Sequence, residues 1–447
     1  MHRPIPHHDT VRAEIGEVWG LAWPVSLGML GLMGMSVVDT LMVGHLGAAP
    51  MAAVALGTSW YFGLAVVALG VLRALDPVIA QAYGARDHEA VGHGIVRGVV
   101  MALLMAPVLM ALQSLAEPGL RLLGQPEVLL ADAGTWCRTA AWGVPGMMVF
   151  SAVRQALQAL GLNRPVTKAI IVANVLNLIG DAVLIYGFDL GPYGAALATA
   201  ASQYVLAGLT VWWSREALAP YLVGWRNALS GPALLALFAI GLPLGVQMAM
   251  EAWAFHLAGL MMGWLGPTAV AANAVVLNLA TLSFMIPMGI GAAAATRVGN
   301  LIGAGLPWAF AGRICLILGG AIMGGSALAF GLFPDLLARA YTADPAVIGV
   351  VVTLLPIAAA FQLFDGLQVV AFGVLRGAGD LRLPALANLL GYWALGIPLG
   401  WWLAFRAGWG APGIFAGLAV GLFTVAMLLV ARVGWMARRG AVRLEAG

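Results

Sequence analysis

The sequence predicts an all-α polytopic membrane protein, with twelve transmembrane helices in two parallel six-helix pseudo-repeats around a central cleft. Three observations carry that expectation. Of 447 residues, 62% are hydrophobic and only 9% are charged, against roughly 25% charged in an ordinary soluble domain. Apolar runs of about 20 residues or more, each long enough to cross a hydrocarbon core about 30 Å thick, recur along almost the whole chain. The second half also repeats the first at an offset of 219 residues: Pro24 falls on Pro243, Gly44 on Gly263, Gly47 on Gly266, Gly70 on Gly289, Gly191 on Gly410 and Gly194 on Gly413.

The elements follow in order. The opening "MHRPIPHHDTVRAEI" lacks the charged, apolar, small-residue layout of a cleavable signal, so the first span itself is expected to direct insertion. Residues 1–16 read as a cytoplasmic tail in which His7 and His8 are solvated. Apolar windows between Gly, Pro and charged breaks place spans at 17–44, 51–82, 90–113, 128–160, 165–189 and 192–214, an N-lobe of residues 17–220. Six more, at 231–265, 268–302, 309–331, 346–375, 383–406 and 412–436, form a C-lobe of residues 221–436, and 437–447 make a second cytoplasmic tail. The 59 glycines and 23 prolines fit close-packed helices with local breaks. Six spans per half return the chain to its starting side, so the halves should be related by an axis along the membrane normal. Two such lobes can rock about a cleft and expose it to either side.

Orientation comes from the basic residues, which stay on the cytoplasmic side. Of the 22 Lys and Arg, seventeen fall on the termini and even-numbered loops. Arg121, Arg138, Arg339 and Arg406 fall on odd loops, and Arg154 lies inside the fourth span, from which it is expected to snorkel. Both termini should be cytoplasmic. The pI near 9.1 therefore reflects topology and not a nucleic-acid partner. Cys137 and Cys315 have no C-x-x-C spacing and read as buried small apolar residues, not a redox or zinc pair. The glycine clusters include no G-x-x-x-x-G-K-[ST], so an ATPase is unsupported, and no cofactor is expected. Enzymatic chemistry lacks a nucleophile with a base or a metal set.

A charge at the bilayer centre costs roughly 2.5–3.5 kcal/mol, so each embedded one needs a reason. Asp39 lies inside "SVVDTLMVGHLG". In "ANVLNLIGDAVLIYG", Asn174, Asn177 and Asp181 share one helical face, and Thr199 in "ALATAAS" adds a hydroxyl. In "LPLGVQMAMEAWAF", Gln247 and Glu251 stand one turn apart, and "FQLFDGLQVV" sets Phe361, Gln362, Asp365 and Gln368 on one face. A carboxyl group moved out of water, or set beside another, favours its protonated form. Hard oxygen ligands suit Na⁺ equally, and both ions stay open. His45 and His256 read as hydrogen-bonded packing residues.

"VVDTLMVGHLGAAPMAAVALG", "TRVGNLIGAG" and "FDGLQVVAFGVLRGAGD" closely resemble the MATE family of multidrug and toxic compound extrusion antiporters, the NorM-like branch above all, over roughly residues 15 to 435. The resemblance implies export of organic, often cationic, small-molecule substrates in exchange for inward-moving H⁺ or Na⁺, by a monomer in the plasma membrane. It assigns Asp39, Asn177, Asp181 and Thr199 to an N-lobe cation-coupling network, and Glu251 and Asp365 to cation binding, including Na⁺, in the C-lobe. Phe361 departs from the family where a tyrosine hydroxyl is common, which leaves proton coupling open. Candidate substrate contacts are Asn174, Gln247, Trp253, Phe255, Phe284 and Phe361, since aromatic rings attract cations. The alternative on the same architecture is a flippase for a lipid-linked oligosaccharide. It would favour a basic cleft and extra spans, whereas the embedded charges here are mainly acidic.

Overall fold

A computed structural model of the chain describes residues 5, 6, 8, 10–223 and 225–440, apart from the side chains of Ala48, Trp225 and Arg226. Residues 441–447 of the expected C-terminal tail, and 1–4, 7 and 9 of the N-terminal one, lie outside the described residues.

The first half comprises α1 (Val11–Gly44), α2 (Ala48–Leu72), α3 (Leu75–Gly84), α4 (His88–Ser114), α5 (Ala116–Leu122), α6 (Glu127–Ala140), α7 (Val144–Ala159), α8 (Asn163–Asp181) and α9 (Gly191–Leu218). The second comprises α10 (Gly231–Trp264), α11 (Pro267–Gly303), α12 (Ala309–Leu332), α13 (Pro334–Tyr341), α14 (Pro345–Gly377), α15 (Arg382–Asn388), α16 (Ile397–Trp401) and α17 (Ala411–Arg439). Among the described residues, eleven stretches are long and apolar enough to cross a membrane, α2 and α3 forming one of them. The remaining expected span, the fourth at 128–160, is split into α6 and α7 by a 3₁₀ turn at Ala141–Gly143. A proline in the first turn of α7 explains the restart, because a residue without an N–H suits a helix start and not its interior. The twelve-span, all-helical fold holds.

The first helix begins at Val11, six residues before its expected span, and so carries Glu14 in its first turn. Packing divides the chain into two compact units: Leu27–Gly245 in one, and Met1–Ser26 with Val246–Leu444 in the other. The chain changes unit inside α1 and again inside α10, each time two residues beyond a proline within the helix, Pro24 and Pro243. Each unit thus includes the leading half of the helix that the other unit completes.

Glycines fix both borrowed halves. A Cβ on Gly70 would stand 2.5 Å from Gly245 Cα and 3.0 Å from Leu244 O, and one on Gly289 would stand 2.0 Å from Ser26 Oγ and 2.8 Å from Ala22 O. Gly70 and Gly289 are repeat partners, as are positions 26 and 245. The same close helix approach is therefore built twice, as small-residue packing in membranes allows. The Val246–Leu444 unit adds an ion pair: Arg297 Nε and Nη2 each donate to Glu14 at 2.8 Å, with 3% and 1% of the two side chains exposed. The repeat also extends to irregular backbone. The π-helical turn Ala182–Gly187 after α8 has a counterpart at Trp402–Arg406, whereas a third, Leu389–Gly396, belongs to the second half alone.

Candidate functional site

Within the Leu27–Gly245 unit, the trailing half of α1 presents Asp39, α8 presents Asn177 and Asp181 one turn apart, and α9 presents Thr199. Thr199 Oγ1 donates to Asp39 Oδ2 at 3.1 Å. Asp181 and Asn177 are the other polar neighbours of Asp39, and both are buried. Asp39 Oδ1, both carboxylate oxygens of Asp181 and both amide atoms of Asn177 are buried without a hydrogen-bond partner among the described residues. An unsatisfied buried polar atom costs about 1–3 kcal/mol, more when charged. Two carboxylates side by side out of water also require a positive partner. A proton or a small cation meets both needs. Asn174 does not join them: its amide donates to the Ile170 carbonyl at 2.7 Å, against its own helix.

Asp39 and Thr199 open onto a cleft of ≈ 990 Å³, counting the space at its mouth, whose walls include Tyr61, Phe62, Trp136 and Phe150. Arg154 also lines it. Its Nη1 lies 3.7 Å from Met29 Sδ, and its guanidinium stands 5.7 Å from the centre of the Phe150 ring. The expectation that Arg154 snorkels is therefore corrected: the Phe150 face and the Met29 thioether hold it inside the unit. None of the six expected substrate contacts lines this cleft.

Within the Val246–Leu444 unit, Glu251 on α10 accepts from Gln368 Nε2 and Asn388 Nδ2, each at 3.3 Å. Asp365, buried one turn before Gln368 on α14, is an electrostatic neighbour of Glu251. The Tyr392 hydroxyl donates to Gln368 Oε1 at 3.1 Å and lies in reach of both acids. The oxygen that Phe361 lacks is thus offered from the π-helical stretch after α15. Phe255 packs edge-on against Phe361 and Tyr392, with ring centres 5.8 and 6.0 Å apart. Gln247, one turn before Glu251, is buried with its Oε1 unsatisfied. Phe284 is half-buried, and Trp253 is 45% exposed. Asn388 and Tyr392 were missed in the sequence, although "NLLGYW" shows two polar side chains four apart in an apolar span. His45 and His256 each donate from Nδ1 to the carbonyl four residues back, at 2.8 Å. Cys137 and Cys315 are free and buried. Among the described residues no three His, Cys, Asp or Glu side chains converge as a metal site. The Glu251 set, with carboxylate, amide and phenol oxygens, has the hard donors that suit an alkali cation.

Comparison with known proteins extends these features. The family model MatE matches residues 24–183 and again 243–402, so both ends of the second match repeat the first at the 219-residue offset. The chain is 37% identical over 429 residues to the multidrug resistance protein NorM of Burkholderia vietnamiensis, covering 92% of each. It is 34% identical over 441 residues to the probable multidrug resistance protein NorM of Bradyrhizobium diazoefficiens, covering 95% of this chain and 94% of that one. Its fold matches the crystal structure of the eukaryotic MATE transporter AtDTX14 with a TM-score of 0.87 at 24% identity, covering 96% and 98% of the two chains. It likewise matches the Vibrio cholerae MATE transporter VcmN in its bent form, with a TM-score of 0.83 at 23% identity and the same coverage. A twice-matching family model, full-length relatives and a shared helical fold agree: this multi-span membrane protein belongs to the MATE family.

Proposed function

We propose that the protein is a secondary multidrug efflux antiporter, exporting organic and often cationic compounds in exchange for H⁺ or Na⁺ by alternating access. It acts as a monomer in the plasma membrane with both termini cytoplasmic. The observation that carries this reading is the buried cluster of Asp39, Asn177, Asp181 and Thr199 at the end of an aromatic-walled cleft. The names of the NorM relatives, full-length and 34–37% identical, support multidrug transport. The oligosaccharide flippase is not favoured, since those relatives are named for multidrug resistance and the cleft walls are largely aromatic and apolar.

The mechanism follows from charge. With its carboxylates bare, the cluster offers negative charge to a cationic compound whose rings pack on Tyr61, Phe62 and Trp136. When H⁺ or Na⁺ neutralises Asp39 or Asp181, that attraction ends and the compound leaves. Glu251, held by Gln368 and Asn388, forms with Asp365 a second acidic pair at which the inward-moving ion binds. At the Asp39 cluster ion and compound compete for one charge, which couples them without any covalent step.

Efflux from proteoliposomes under separately imposed H⁺ and Na⁺ gradients tests this, with Asp39→Asn, Glu251→Gln and Asp365→Asn beside the wild type. Each substitution should abolish most gradient-driven efflux. Full transport by all three would remove the site assignment, and efflux indifferent to either gradient would remove antiport.

A further inference from the structure

The outer face of α17 changes character along its length. Val420, Phe423, Met427, Ala431, Trp435 and Arg438 are exposed and recur every three or four residues, so they form one stripe on the side of the helix turned away from the packed core. Phe423 stands twelve residues before Trp435, about 18 Å along the helix, comparable with one leaflet's share of a hydrocarbon core about 30 Å thick. The stripe thus passes from acyl-chain depth to an indole at headgroup level and, within one more turn, to guanidiniums.

Positive charge gathers where the stripe ends. The Arg432 and Arg439 guanidiniums stand 4.2 and 4.7 Å from the centre of the Trp435 ring. Asp380 takes up Arg432, accepting from its Nε at 2.6 Å, and so ties the start of α15 to α17. Arg438 and Arg439 meet no acid among the described residues, and neither does Arg382, exposed in the first turn of α15. The carbonyl end of a helix carries about half a negative charge, which opposes an anion, but the two guanidiniums of the last turn outweigh it. A phosphodiester fits this surplus, since a guanidinium offers paired N–H donors to two of its oxygens. A choline headgroup does not: its quaternary ammonium, which an open indole face would attract, meets two like charges at Trp435. The repeat does not carry the arrangement, because Trp213, Glu216, Ala219 and Pro220 hold the positions matching Arg432, Trp435, Arg438 and Arg439.

We propose that the end of α17 is a binding site for an anionic phospholipid, its phosphate held by Arg438 and Arg439 and an acyl chain lying along Met427 and Phe423. The site requires the membrane-spanning fold and is independent of antiport.

The test uses the full chain with Ala431→Cys, one turn before Trp435 on the stripe, labelled with the small fluorophore bimane. Cys137 and Cys315 are buried and stay out of reach of a brief labelling. The control has the label at Trp212→Cys instead, the exposed repeat-matched position on α9. Each protein is reconstituted in phosphatidylcholine vesicles containing brominated-chain phosphatidylglycerol or brominated-chain phosphatidylcholine, and quenching reads the relative affinity of the two lipids beside the label. At Ala431→Cys, phosphatidylglycerol should be preferred about fivefold or more, the worth of one cationic side chain near an anionic headgroup, and at Trp212→Cys the two lipids should be near parity. Adding Arg438→Gln with Arg439→Gln should bring the Ala431→Cys preference down to that of the control. Arg438→Lys with Arg439→Lys keeps both charges and should keep most of the preference. A preference at Ala431→Cys no greater than at Trp212→Cys, or one unchanged by the glutamine pair, overturns the proposal. Equal loss in the lysine and glutamine pairs overturns it too, since a disturbed helix end and not charge would then be what the label reads.

Discussion

Removing one partner of the Glu14–Arg297 pair tests whether the leading half of α1 is anchored in the Val246–Leu444 unit. Arg297 meets both Glu14 oxygens at 2.8 Å, and the pair is almost wholly out of water. Glu14→Gln keeps the shape but leaves the guanidinium without its countercharge. Deleting half of a buried pair costs about 3–5 kcal/mol, whereas replacing both members by apolar residues of similar volume is often neutral. At about 2–4 °C per kcal/mol for a unit near 200 residues, the single variant should melt on the order of 10 °C lower. Glu14→Leu combined with Arg297→Met should recover most of that. The assay is the apparent Tm of the full chain in detergent, read by heating followed by size-exclusion chromatography. The exposed Arg339–Asp335 pair, 2.6 Å long, is the control; Asp335→Asn should leave the Tm unchanged, because water screens such pairs. A second readout localises the effect. Cys315 is buried and within electrostatic reach of both Glu14 and Arg297, while Cys137 is buried in the other unit. Glu14→Gln should speed thiol labelling of Cys315 and leave Cys137 as before. Equal melting of the single and double variants, or equal labelling of both cysteines, would refute the reasoning.

The two borrowed half-helices make a paired prediction: Gly70→Ala and Gly289→Ala each place a Cβ inside contact distance of backbone, at Gly245 and Ala22. Each should destabilise by about 1–3 kcal/mol in the same melting assay, whereas Gly263→Ala, where a Cβ meets nothing within 4 Å, should not. In the C-terminal half, Asn388→Ala removes a donor to Glu251 and should change the ion concentration for half-maximal efflux about tenfold, as expected for a hydrogen bond to a charged group. Tyr392→Phe, whose hydroxyl meets Gln368, should have a smaller effect in the same direction; an unchanged ion dependence in both variants would take the π-helical stretch out of the site.

Most of the fold was legible because membrane helices announce themselves by length and hydropathy, and because the repeat leaves fixed glycines and prolines. The pairing of Gly70 with Gly289 was visible as a sequence match, but not its cause, since a close approach to a half-helix from the other end of the chain has no local signature. The same limit hid Arg297. It stands in "TRVGN" as an ordinary basic residue, and only the fold brings Glu14 to it across 283 residues. Among candidate site residues, carboxylates in apolar spans stood out because burial makes them costly. Asn388 and Tyr392 did not, since neutral side chains carry a weaker signal. Arg154 was misread for a related reason: a long basic side chain can reach either the membrane surface or the interior, and sequence spacing does not choose between them.

The repeat makes the two halves alike in their layout of spans and leaves them unlike in chemistry. At the 219-residue offset, Asp39, Asn177, Asp181 and Thr199 fall on Ala258, Gly396, Gly400 and Leu418. In the reverse direction, Glu251, Asp365, Gln368, Asn388 and Tyr392 fall on Leu32, Gly146, Val149, Ala169 and Ala173. Every polar member of one cluster is matched in the other half by an apolar residue or by glycine. The extra π-helical stretch, Leu389–Gly396, begins directly after Asn388 and contains Tyr392, so even the backbone departs from the repeat where the second cluster is built. Irregular turns of this kind concentrate at functional sites, because one added residue per turn re-aims the side chains that follow. The repeat thus carries the helix prolines Pro24 and Pro243 and the glycine contacts twice, whereas each half has its own acids. With different acids, one cluster opens on an aromatic-walled cleft, while the other sets Glu251 among amides, beside Asp365 and the Tyr392 phenol.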